Sequence, residues 1–294
     1  EKIMEYSLEN DLLKITVTTW GAQLKSVVRK SDGVEHMWQA GPLWGYHAPI
    51  LFPHAGRVVD GTIHAKGKDY PAAQHGFARN MEHTLVRQSK DTIVLALEAN
   101  GETLDKFPYR FRLLSAFRLE NDRVHHTLTV ENLDGEAMPF GIGYHPAFNV
   151  PFDDKHTPED YELRFDTPQS PLCIGCLPTG LVHGDCYYLA SNTDTIPVNE
   201  ALFANDSHCM ANLTAKTLGI YEKDTGRAVV CDIGEFPYTL LWSKPGEIKF
   251  VCIEPWHSLP SPENGTTDWQ KKPAAAVLNP GERWSTTLTT CFCR

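Results

Sequence analysis

A hydrophobic period of two residues recurs along most of this chain and limits its possible folds more than any other feature. In the stretch 124–130, Val124, Leu128 and Val130 supply one apolar face, which also carries His126, and the opposite face is polar. This alternation is typical of a strand with one buried face. It predicts strands at residues 13–18, 24–28, 84–88, 92–98, 110–119, 124–130, 138–144, 161–165, 218–221, 228–232, 239–242, 249–254 and 284–292.

Short polar turns separate consecutive strands, and helical patterns are scarce. The clearest turn segments, of the kind that joins antiparallel neighbours, are 89–91, 120–122 and 223–226. One or two helical turns fit only residues 101–107 and 199–205. Many strands with few helices predict an all-β fold, an antiparallel sandwich with large sheets. No repeat, linker or change of composition divides the chain, so we expect one domain over residues 1–294.

Charge and hydropathy narrow the class of protein. The chain has a formal net charge of -10 at pH 7, which argues against nucleic acid and anionic membranes as partners. It has no apolar run of about eighteen residues and no apolar core near its first residues, so we expect neither a membrane span nor a signal segment. We therefore expect a cytoplasmic protein whose eight cysteines are reduced.

The segment GIGYHP, residues 141–146, holds the first candidate for chemistry. A predicted strand ends at His145, because Pro146 has no N–H to donate to an inner ladder. We interpret Gly141 and Gly143 as clearance that lets a ligand approach the backbone. An imidazole in this position suits proton transfer near neutral pH, although an isolated histidine is more often structural.

Glu254 has a similar position at the end of a second predicted strand. It follows four apolar residues and precedes Pro255. A carboxylate in this setting is costly to bury without a partner, and burial raises its pKa, so Glu254 is a candidate general base. If both strands end at the same rim of one sheet, His145 and Glu254 face each other across a small ligand.

An acid and a base placed in this way can interconvert the anomers of an aldose. The base removes the proton of the C1 hydroxyl, the acid protonates the ring oxygen, and the ring opens and closes on the other face. This reaction requires no metal and no organic cofactor. A glycosidase would pair two carboxylates, and no second acid shares the setting of Glu254. The sequence has no nucleotide-binding or GxSxG motif, and Cys173 and Cys176 are too isolated a pair to predict zinc.

Two upstream segments offer groups that suit a sugar. Arg57 follows a glycine after an apolar stretch, and a guanidinium there can fork onto vicinal hydroxyls. His75 precedes Gly76, which lets the backbone turn sharply beneath a ligand, and Phe77 offers an apolar ring face. Taken alone, the position of Arg57 is also compatible with a structural ion pair, and the segment around His75 with an ordinary loop.

Together the four segments resemble the aldose 1-epimerase (galactose mutarotase) family, and within it a LacX-like bacterial branch. The matching blocks are PILFPHAGRV, QHGFARNMEH, FGIGYHPAFNVPF and FVCIEPWHSLPSPENG. The resemblance implies a β-supersandwich with the sugar in an open cleft on one sheet. It implies His145 as general acid, Glu254 as general base, and Arg57 and His75 as sugar-binding residues. An acidic residue near the middle of the chain contacts the sugar in many relatives, and its best match here is Asp206.

The resulting hypothesis is a cofactor-free aldose 1-epimerase acting on a free aldohexose, and two alternatives stay open. The residues after Pro53 and the segment 258–261 depart from the commoner family form, which favours a non-catalytic carbohydrate-binding or regulatory protein. A hexose-phosphate mutarotase needs cations that converge on the cleft, and the candidates are Arg57, Arg79, Lys271 and Lys272.

Overall fold

Two large antiparallel sheets dominate the structure, a computed structural model that describes residues 2–293. The strands are β1 (Glu5–Glu9), β2 (Leu13–Thr18), β3 (Gln23–Arg29), β4 (Ile50–Leu51), β5 (Thr62–Ala65), β6 (Lys68–Pro71), β7 (Thr84–Gln88), β8 (Thr92–Glu98), β9 (Phe111–Glu120), β10 (Arg123–Asn132), β11 (Met138–Phe140), β12 (Gly143–Tyr144), β13 (Ala147–Asn149), β14 (Tyr161–Gln169), β15 (Leu172–Ile174), β16 (Cys186–Tyr188), β17 (Thr193–Pro197), β18 (His208–Met210), β19 (Thr217–Glu222), β20 (Ala228–Asp232), β21 (Tyr238–Trp242), β22 (Phe250–Trp256), β23 (Ala276–Leu278) and β24 (Arg283–Cys293).

Helices are few and short. Within residues 2–293 they comprise α1 (Gly101–Leu104) and 3-10 turns at Val59–Gly61, Ala78–Asn80, Pro158–Asp160 and Glu200–Phe203. No helix in this part of the chain is both long and apolar enough to cross a membrane.

The two sheets differ in size and strand order. The nine-stranded sheet has the order β17-β14-β19-β20-β24-β10-β9-β8-β7, and the eight-stranded sheet has β16-β15-β18-β21-β22-β12-β4, with β13 also paired to β22. Smaller sheets are formed by β1-β2-β3, β5-β6 and β11-β23. Neighbouring strands in these ladders run antiparallel. The predicted all-β antiparallel fold is therefore confirmed.

The strands predicted from the alternating pattern are all present, and one of them is divided. Residues 138–144 form β11 and β12 instead of a single strand. The cause is local, because the Gly141 N–H donates to the Pro53 carbonyl, 2.6 Å away, and so leaves the ladder. The two predicted helical stretches contain α1 and the 3-10 turn Glu200–Phe203, each shorter than expected.

The eight-stranded sheet is covered on both faces around β22. All seven residues of this strand are buried. Val251 and Ile253 point into the main core, a large cluster that draws on both sheets. Cys252, Glu254 and Trp256 alternate with them and point to the other face, where Cys252 and Trp256 join smaller apolar clusters. Loops cover this second face, and the candidate site lies beneath them.

The cysteines are free thiols with one exception. Cys291 and Cys293 on β24 form a disulfide, so the expectation that all the cysteines are reduced is wrong for this pair. Residues two apart on a strand point to the same face, and the Cα separation of 5.5 Å is one that a disulfide can span. The free thiols are Cys173, Cys176, Cys186, Cys209, Cys231 and Cys252.

Candidate active site

Glu254 lies on β22, and His145 lies opposite it in the two-residue break between β12 and β13. β12 and β13 pair with β22 in the same register, with the pairs Gly143–Trp256 and Ala147–Cys252, and this register places residue 145 opposite residue 254. Opposed residues of an antiparallel pair direct their side chains to the same face of the sheet. His145 Nε2 consequently lies 3.3 Å from Glu254 Oε2. The structure thus brings together the two residues that the sequence singled out, and strand register is the reason.

The prolines that follow these two residues have different effects on their strands. β12 and β13 are separated at Pro146, as expected for a residue that cannot donate to a ladder. β22 instead continues through Pro255, so the expectation that a strand ends at Glu254 is wrong. The His257 N–H donates to the Ile142 carbonyl, and backbone groups two residues apart face the same neighbour, so Pro255 also faces β12. By the same register Pro255 lies opposite Tyr144, the last residue of β12. Without an N–H it donates no bond to that strand, so β22 continues there with one ladder bond fewer.

Burial shifts both members of the pair toward their uncharged forms. His145 is 7% exposed and Glu254 is 2% exposed. Burial lowers the pKa of His145 to about 3 and raises the pKa of Glu254 well above its ordinary value. The Trp256 indole N–H partly offsets the rise in the pKa of Glu254 without reaching hydrogen-bond geometry, and the negative charge of Asp206 adds to it. Burial therefore favours a neutral imidazole at His145 and a protonated carboxyl at Glu254.

Aromatic rings surround His145 and account for its desolvation. Trp44 stacks on the imidazole with ring centroids 5.0 Å apart. Trp242 and His75 meet it edge-on, at centroid distances of 5.7 and 5.5 Å. The Trp44 carbonyl accepts a hydrogen bond from Trp38 Nε1 at 2.8 Å, which fixes the loop that carries the stacked ring. The imidazole is thus held in one orientation between rigid neighbours.

His75 reaches the pair from the loop between β6 and β7. Its φ is +66° and that of Gly76 is +70°, so the sharp turn predicted for this loop is present. A Cβ at position 76 would lie 2.1 Å from the Phe52 carbonyl oxygen, so only glycine fits there. His75 Nδ1 accepts a hydrogen bond from the Gly56 N–H at 2.9 Å, which places the ring proton of a neutral imidazole on Nε2. The ring can therefore donate to a ligand.

The pair opens into a cleft of ≈ 670 Å³ on the face of the eight-stranded sheet that points away from the main core. Its volume lies within the range of about 300–1,000 Å³ that is typical of small-molecule sites. Asp206 enters it from the loop between the 3-10 turn Glu200–Phe203 and β18. The residues predicted for the site all line this cleft: His145, Glu254, Arg57, His75 and Asp206.

Comparison with known proteins agrees with this geometry. A family model described as "Aldose 1-epimerase" matches residues 4–290. The chain belongs to the aldose 1-epimerase family. It is 32% identical over 265 residues to "Protein LacX, chromosomal" of Lactococcus lactis subsp. lactis, with 87% of this chain and 88% of that protein covered.

Solved structures show the same fold. A galactose mutarotase related enzyme from Lactobacillus acidophilus has a TM-score of 0.93 at 28% identity, covering 99% of this chain and 98% of that chain. A galactose mutarotase-like protein from Lactobacillus casei ATCC 334 has a TM-score of 0.90 at 30% identity, covering 98% of this chain and 99% of that chain. The resemblance to the aldose 1-epimerase family and the galactose mutarotase-like fold expected from it are therefore confirmed.

In this aldose 1-epimerase family member the glycines before His145 make room for the protein itself. A Cβ at Gly143 would lie 2.7 Å from the Trp256 indole, and one at Gly141 would lie 2.5 Å from Ser258 Oγ. The interpretation of these glycines as clearance for a ligand is therefore wrong. They let a large ring and a loop side chain pack against the interrupted strand, and this packing supports the position of His145.

The cations expected for a phosphorylated substrate are partly present. Arg57 and Arg79 line the cleft. Neither of them forms an ion pair with a carboxylate among residues 2–293. Lys271 and Lys272 do not line the cleft, so that part of the hypothesis is wrong, whereas Lys244 does line it. Two arginines without carboxylate partners therefore face the cavity.

Several residues that shape the site escaped the sequence analysis. Trp44 lies in the long segment between β3 and β4, where no motif marks it, and Trp242 ends a strand of ordinary pattern. Cys252 carried a usable signal, because it precedes Glu254 by two residues and so shares its face of β22.

Proposed function

We propose that this chain is an aldose 1-epimerase that interconverts the α and β anomers of a free aldohexose. The observation that carries the proposal is the opposed, desolvated pair of His145 and Glu254, with Nε2 and Oε2 3.3 Å apart in the cleft. The ring oxygen and the C1 hydroxyl of an aldose are bonded to the same carbon, so two groups this close together reach both oxygens at once. Displaced pKa values of interacting groups in a cleft are typical of proton-transfer sites.

The reaction transfers one proton at each of two oxygens and returns the pair to its starting form. Glu254 accepts the proton of the C1 hydroxyl while His145 donates a proton to the ring oxygen, and the bond from C1 to the ring oxygen breaks. Rotation about the C1–C2 bond turns the aldehyde over, and the reverse transfers close the ring to the other anomer. The form with Glu254 ionised and His145 protonated arises by transfer of the single proton that the pair holds. Each step is a proton transfer, so the mechanism invokes no metal or organic cofactor.

Three residues are proposed to hold the sugar. The Arg57 guanidinium donates to vicinal hydroxyls, the His75 Nε2–H donates to a third oxygen, and the Asp206 carboxylate accepts from a hydroxyl. A fourth donor is the indole N–H of Trp256, since its Nε1 is buried and has no hydrogen-bond partner among the residues described. A buried donor left without a partner is costly, and a sugar oxygen in the cleft would satisfy it.

Relaxation of freshly dissolved α-glucose and α-galactose, followed by polarimetry or NMR, tests the proposed activity. The wild-type protein should relax these sugars faster than buffer, and Glu254→Gln should abolish most of the acceleration. Glu120→Gln is the control, because Glu120 is an exposed carboxylate that does not line the cleft. If wild type and Glu254→Gln both relax at the rate of buffer, the activity is absent for those sugars. Saturable sugar binding without acceleration would then favour the non-catalytic alternative.

A hexose-phosphate substrate is the second candidate, favoured by the two cleft arginines, Arg57 and Arg79, which have no carboxylate partner within residues 2–293. The same assay on glucose 6-phosphate separates the two substrates. A larger kcat/KM for the phosphorylated sugar, lost in Arg79→Gln while the rate on free glucose is kept, would support it. Equal kcat/KM values for glucose and glucose 6-phosphate would rule out recognition of the phosphate.

A further inference from the structure

The thiol of Cys252 lies beside the proposed acid–base pair and has no part in its chemistry. Cys252 and Glu254 are two residues apart on β22 and share a face of the sheet. A ring nitrogen of His145, the sulfur of Cys252 and a carboxylate oxygen of Glu254 all lie within 4.8 Å of one another. The three residues are 7%, 0% and 2% exposed. A nitrogen, a sulfur and an oxygen ligand thus converge at one buried point.

This ligand set and its spacing suit zinc. Zinc is bound by histidine nitrogen, cysteine sulfur and carboxylate oxygen at about 2.0–2.3 Å, usually with tetrahedral geometry. At the bond lengths of nitrogen and oxygen ligands, a tetrahedral angle separates the two atoms by roughly 3.3 Å. His145 Nε2 and Glu254 Oε2 are 3.3 Å apart. These two atoms already have the spacing of zinc ligands, and the sulfur of Cys252 is close enough to add a third.

Charge and access also favour an ion at this point. Zn²⁺ with one thiolate and one carboxylate has no net charge, which lowers the cost of burying the ion. His145 and Glu254 line the cleft and Cys252 does not. An ion that enters from the cleft therefore meets the pair first and takes the sulfur behind it as a third ligand. Its fourth position stays on the side of the cleft, as in zinc sites that exchange a ligand.

Other groups of potential ligands in the described part of the chain are already engaged. These groups are Asp122–Cys291–Cys293 and Asp153–His156–Glu222. The two sulfurs of the first group are joined in a disulfide. In the second group Glu222 binds the guanidinium of Arg227, whose Nε lies 2.7 Å from Oε1. The cleft group differs from both because its sulfur is a free thiol and, within residues 2–293, no arginine or lysine pairs with its carboxyl.

We propose that His145, Cys252 and Glu254 form an inhibitory site for Zn²⁺, in which the ion and the sugar compete for the same two groups. Binding of the ion is independent of the activity proposed above, and only the inhibition rests on that activity. His145 Nδ1 is buried and has no hydrogen-bond partner among residues 2–293. A zinc-bound histidine usually donates its other N–H, and loss of such a partner costs about 10–100-fold in affinity. The ion is therefore reversibly bound and removed by a chelator.

Cobalt replaces zinc as a spectroscopic probe and tests the site without any sugar. Chelator-treated, reduced protein is titrated with Co²⁺, and a thiolate-to-cobalt charge-transfer band in the near ultraviolet reports a sulfur ligand. We expect the band at a single equivalent of Co²⁺, its removal by Zn²⁺, and its loss in Cys252→Ser and Cys252→Ala. Cys209→Ser is the matched control, because Cys209 is also a buried free thiol and lines the cleft. The affinity of Cys252→Ser for Zn²⁺ should fall at least about tenfold.

Three results would overturn the metal site. They are the absence of a cobalt band in the wild-type protein, a band that survives in both Cys252 variants, and a band that Cys209→Ser alone removes. Thermal unfolding checks that each variant is folded, and Cys252→Ala provides a second replacement if serine is poorly tolerated. A saturating aldohexose should weaken Zn²⁺ binding, and Zn²⁺ should slow mutarotation competitively. An intact cobalt band without any mutarotation would refute the proposed activity and leave the metal site standing.

Discussion

This molecule has two contacts between a histidine and a buried glutamate, and the pKa values of the two glutamates are shifted in opposite directions. In the cleft, His145 Nε2 lies 3.3 Å from Glu254 Oε2, and near the turn between β19 and β20, His156 Nδ1 lies 3.4 Å from Glu222 Oε2. The glutamates are 2% and 0% exposed. Nevertheless the pKa of Glu254 is raised well above its ordinary value, whereas the pKa of Glu222 is lowered. The distances and the exposed fractions of the two glutamates are alike and do not by themselves explain the difference.

Glu222 has a guanidinium and several hydrogen-bond donors around its carboxylate, and Glu254 does not. Burial raises the pKa of Glu222, but hydrogen bonds from Arg227, Thr225 and Tyr161 outweigh it and leave the carboxylate ionised. The guanidinium is central, because its Nε lies 2.7 Å from Glu222 Oε1. A permanent counter-ion thus makes one buried glutamate a structural anion.

The two histidines differ for the same reason. Hydrogen bonds to Asp153 and Asp224 raise the pKa of His156 to about 9, and the Asp153 contact is 2.7 Å long. His145 is surrounded by aromatic rings, and burial lowers its pKa to about 3. The groups at the His156 contact are thus stabilised as ions, whereas burial favours the uncharged form of both groups in the cleft. Only the second arrangement suits the acid–base role that we propose.

The largest expected effect is the loss of mutarotation rate when Glu254 of the cleft pair is replaced. Glu254→Gln removes the proton acceptor, so mutarotation should fall by about 10²–10⁴-fold. Glutamine has nearly the shape of a protonated glutamic acid, so the midpoint of thermal unfolding should not fall. Polarimetry and thermal unfolding of the same sample measure both quantities. A variant that keeps more than about a tenth of the rate would remove Glu254 from the proposed mechanism.

The matching replacement at the His156 contact, Glu222→Gln, should lower stability and leave the mutarotation rate unchanged. Glu222→Gln removes one charged partner of the half-buried Arg227, which keeps its contacts to Asp153 and Asp32, so the free energy of unfolding should fall by about 1–3 kcal/mol. Denaturant titration measures this loss, and Glu120→Gln, an exposed ion-pair member, is the control with a much smaller expected change. Mutarotation per folded molecule should stay near the wild-type rate. A large loss of rate without a loss of stability would mean that the two regions are coupled.

The sequence predicted the strands and the candidate residues well but could not predict how they pair. Alternation along each strand is a local property, so the large strands and their buried faces were accessible. The opposition of His145 and Glu254 depends on the register between β12, β13 and β22, which is set by contacts far apart in the chain. The sequence showed both residues before prolines. A strand ends at His145 as predicted, whereas β22 continues through Pro255.

The other features that the sequence did not predict are packing contacts between side chains that are far apart in the chain. Gly143 is required because the Trp256 indole packs on it, and no pattern in the sequence links these two positions. The stacking of Trp44 on His145 depends on a long loop, and long loops have no periodic signal. Nothing in the sequence distinguishes the environment of Glu222 from that of Glu254, because Arg227 acts through a contact in space.

A smaller effect is expected from His156→Gln, which tests the sign of the charge at the second contact. The pKa of His156 is about 9 in the folded protein and about 6.5 in an unfolded chain, so the protonated ring stabilises the fold. Its contribution, about 1 kcal/mol or less for a partly exposed ion pair, is complete below pH ~6.5 and is lost as the pH rises through ~9. Denaturant unfolding of both proteins at several pH values should give a difference that shrinks with rising pH. A difference that grows with pH would reverse the assigned charge.

The smallest effect is expected in the pH dependence of the cleft pair. A histidine of ordinary pKa changes from mostly protonated to mostly neutral between about pH 5 and about pH 7, and a catalytic rate that depended on it would change with the same midpoint. Burial lowers the pKa of His145 to about 3 and raises the pKa of Glu254 well above its ordinary value, so His145 does not titrate in this interval. After subtraction of the buffer-catalysed rate, kcat/KM should therefore change less than about twofold between these pH values. Activity should decline on the alkaline side as Glu254 loses its proton, and on the acid side only near the pKa of His145. If kcat/KM instead changed with a midpoint near pH ~6.5, His145 would be solvated when it transfers a proton. Desolvation would then not distinguish the cleft pair from the His156 contact, and only the neighbouring groups would.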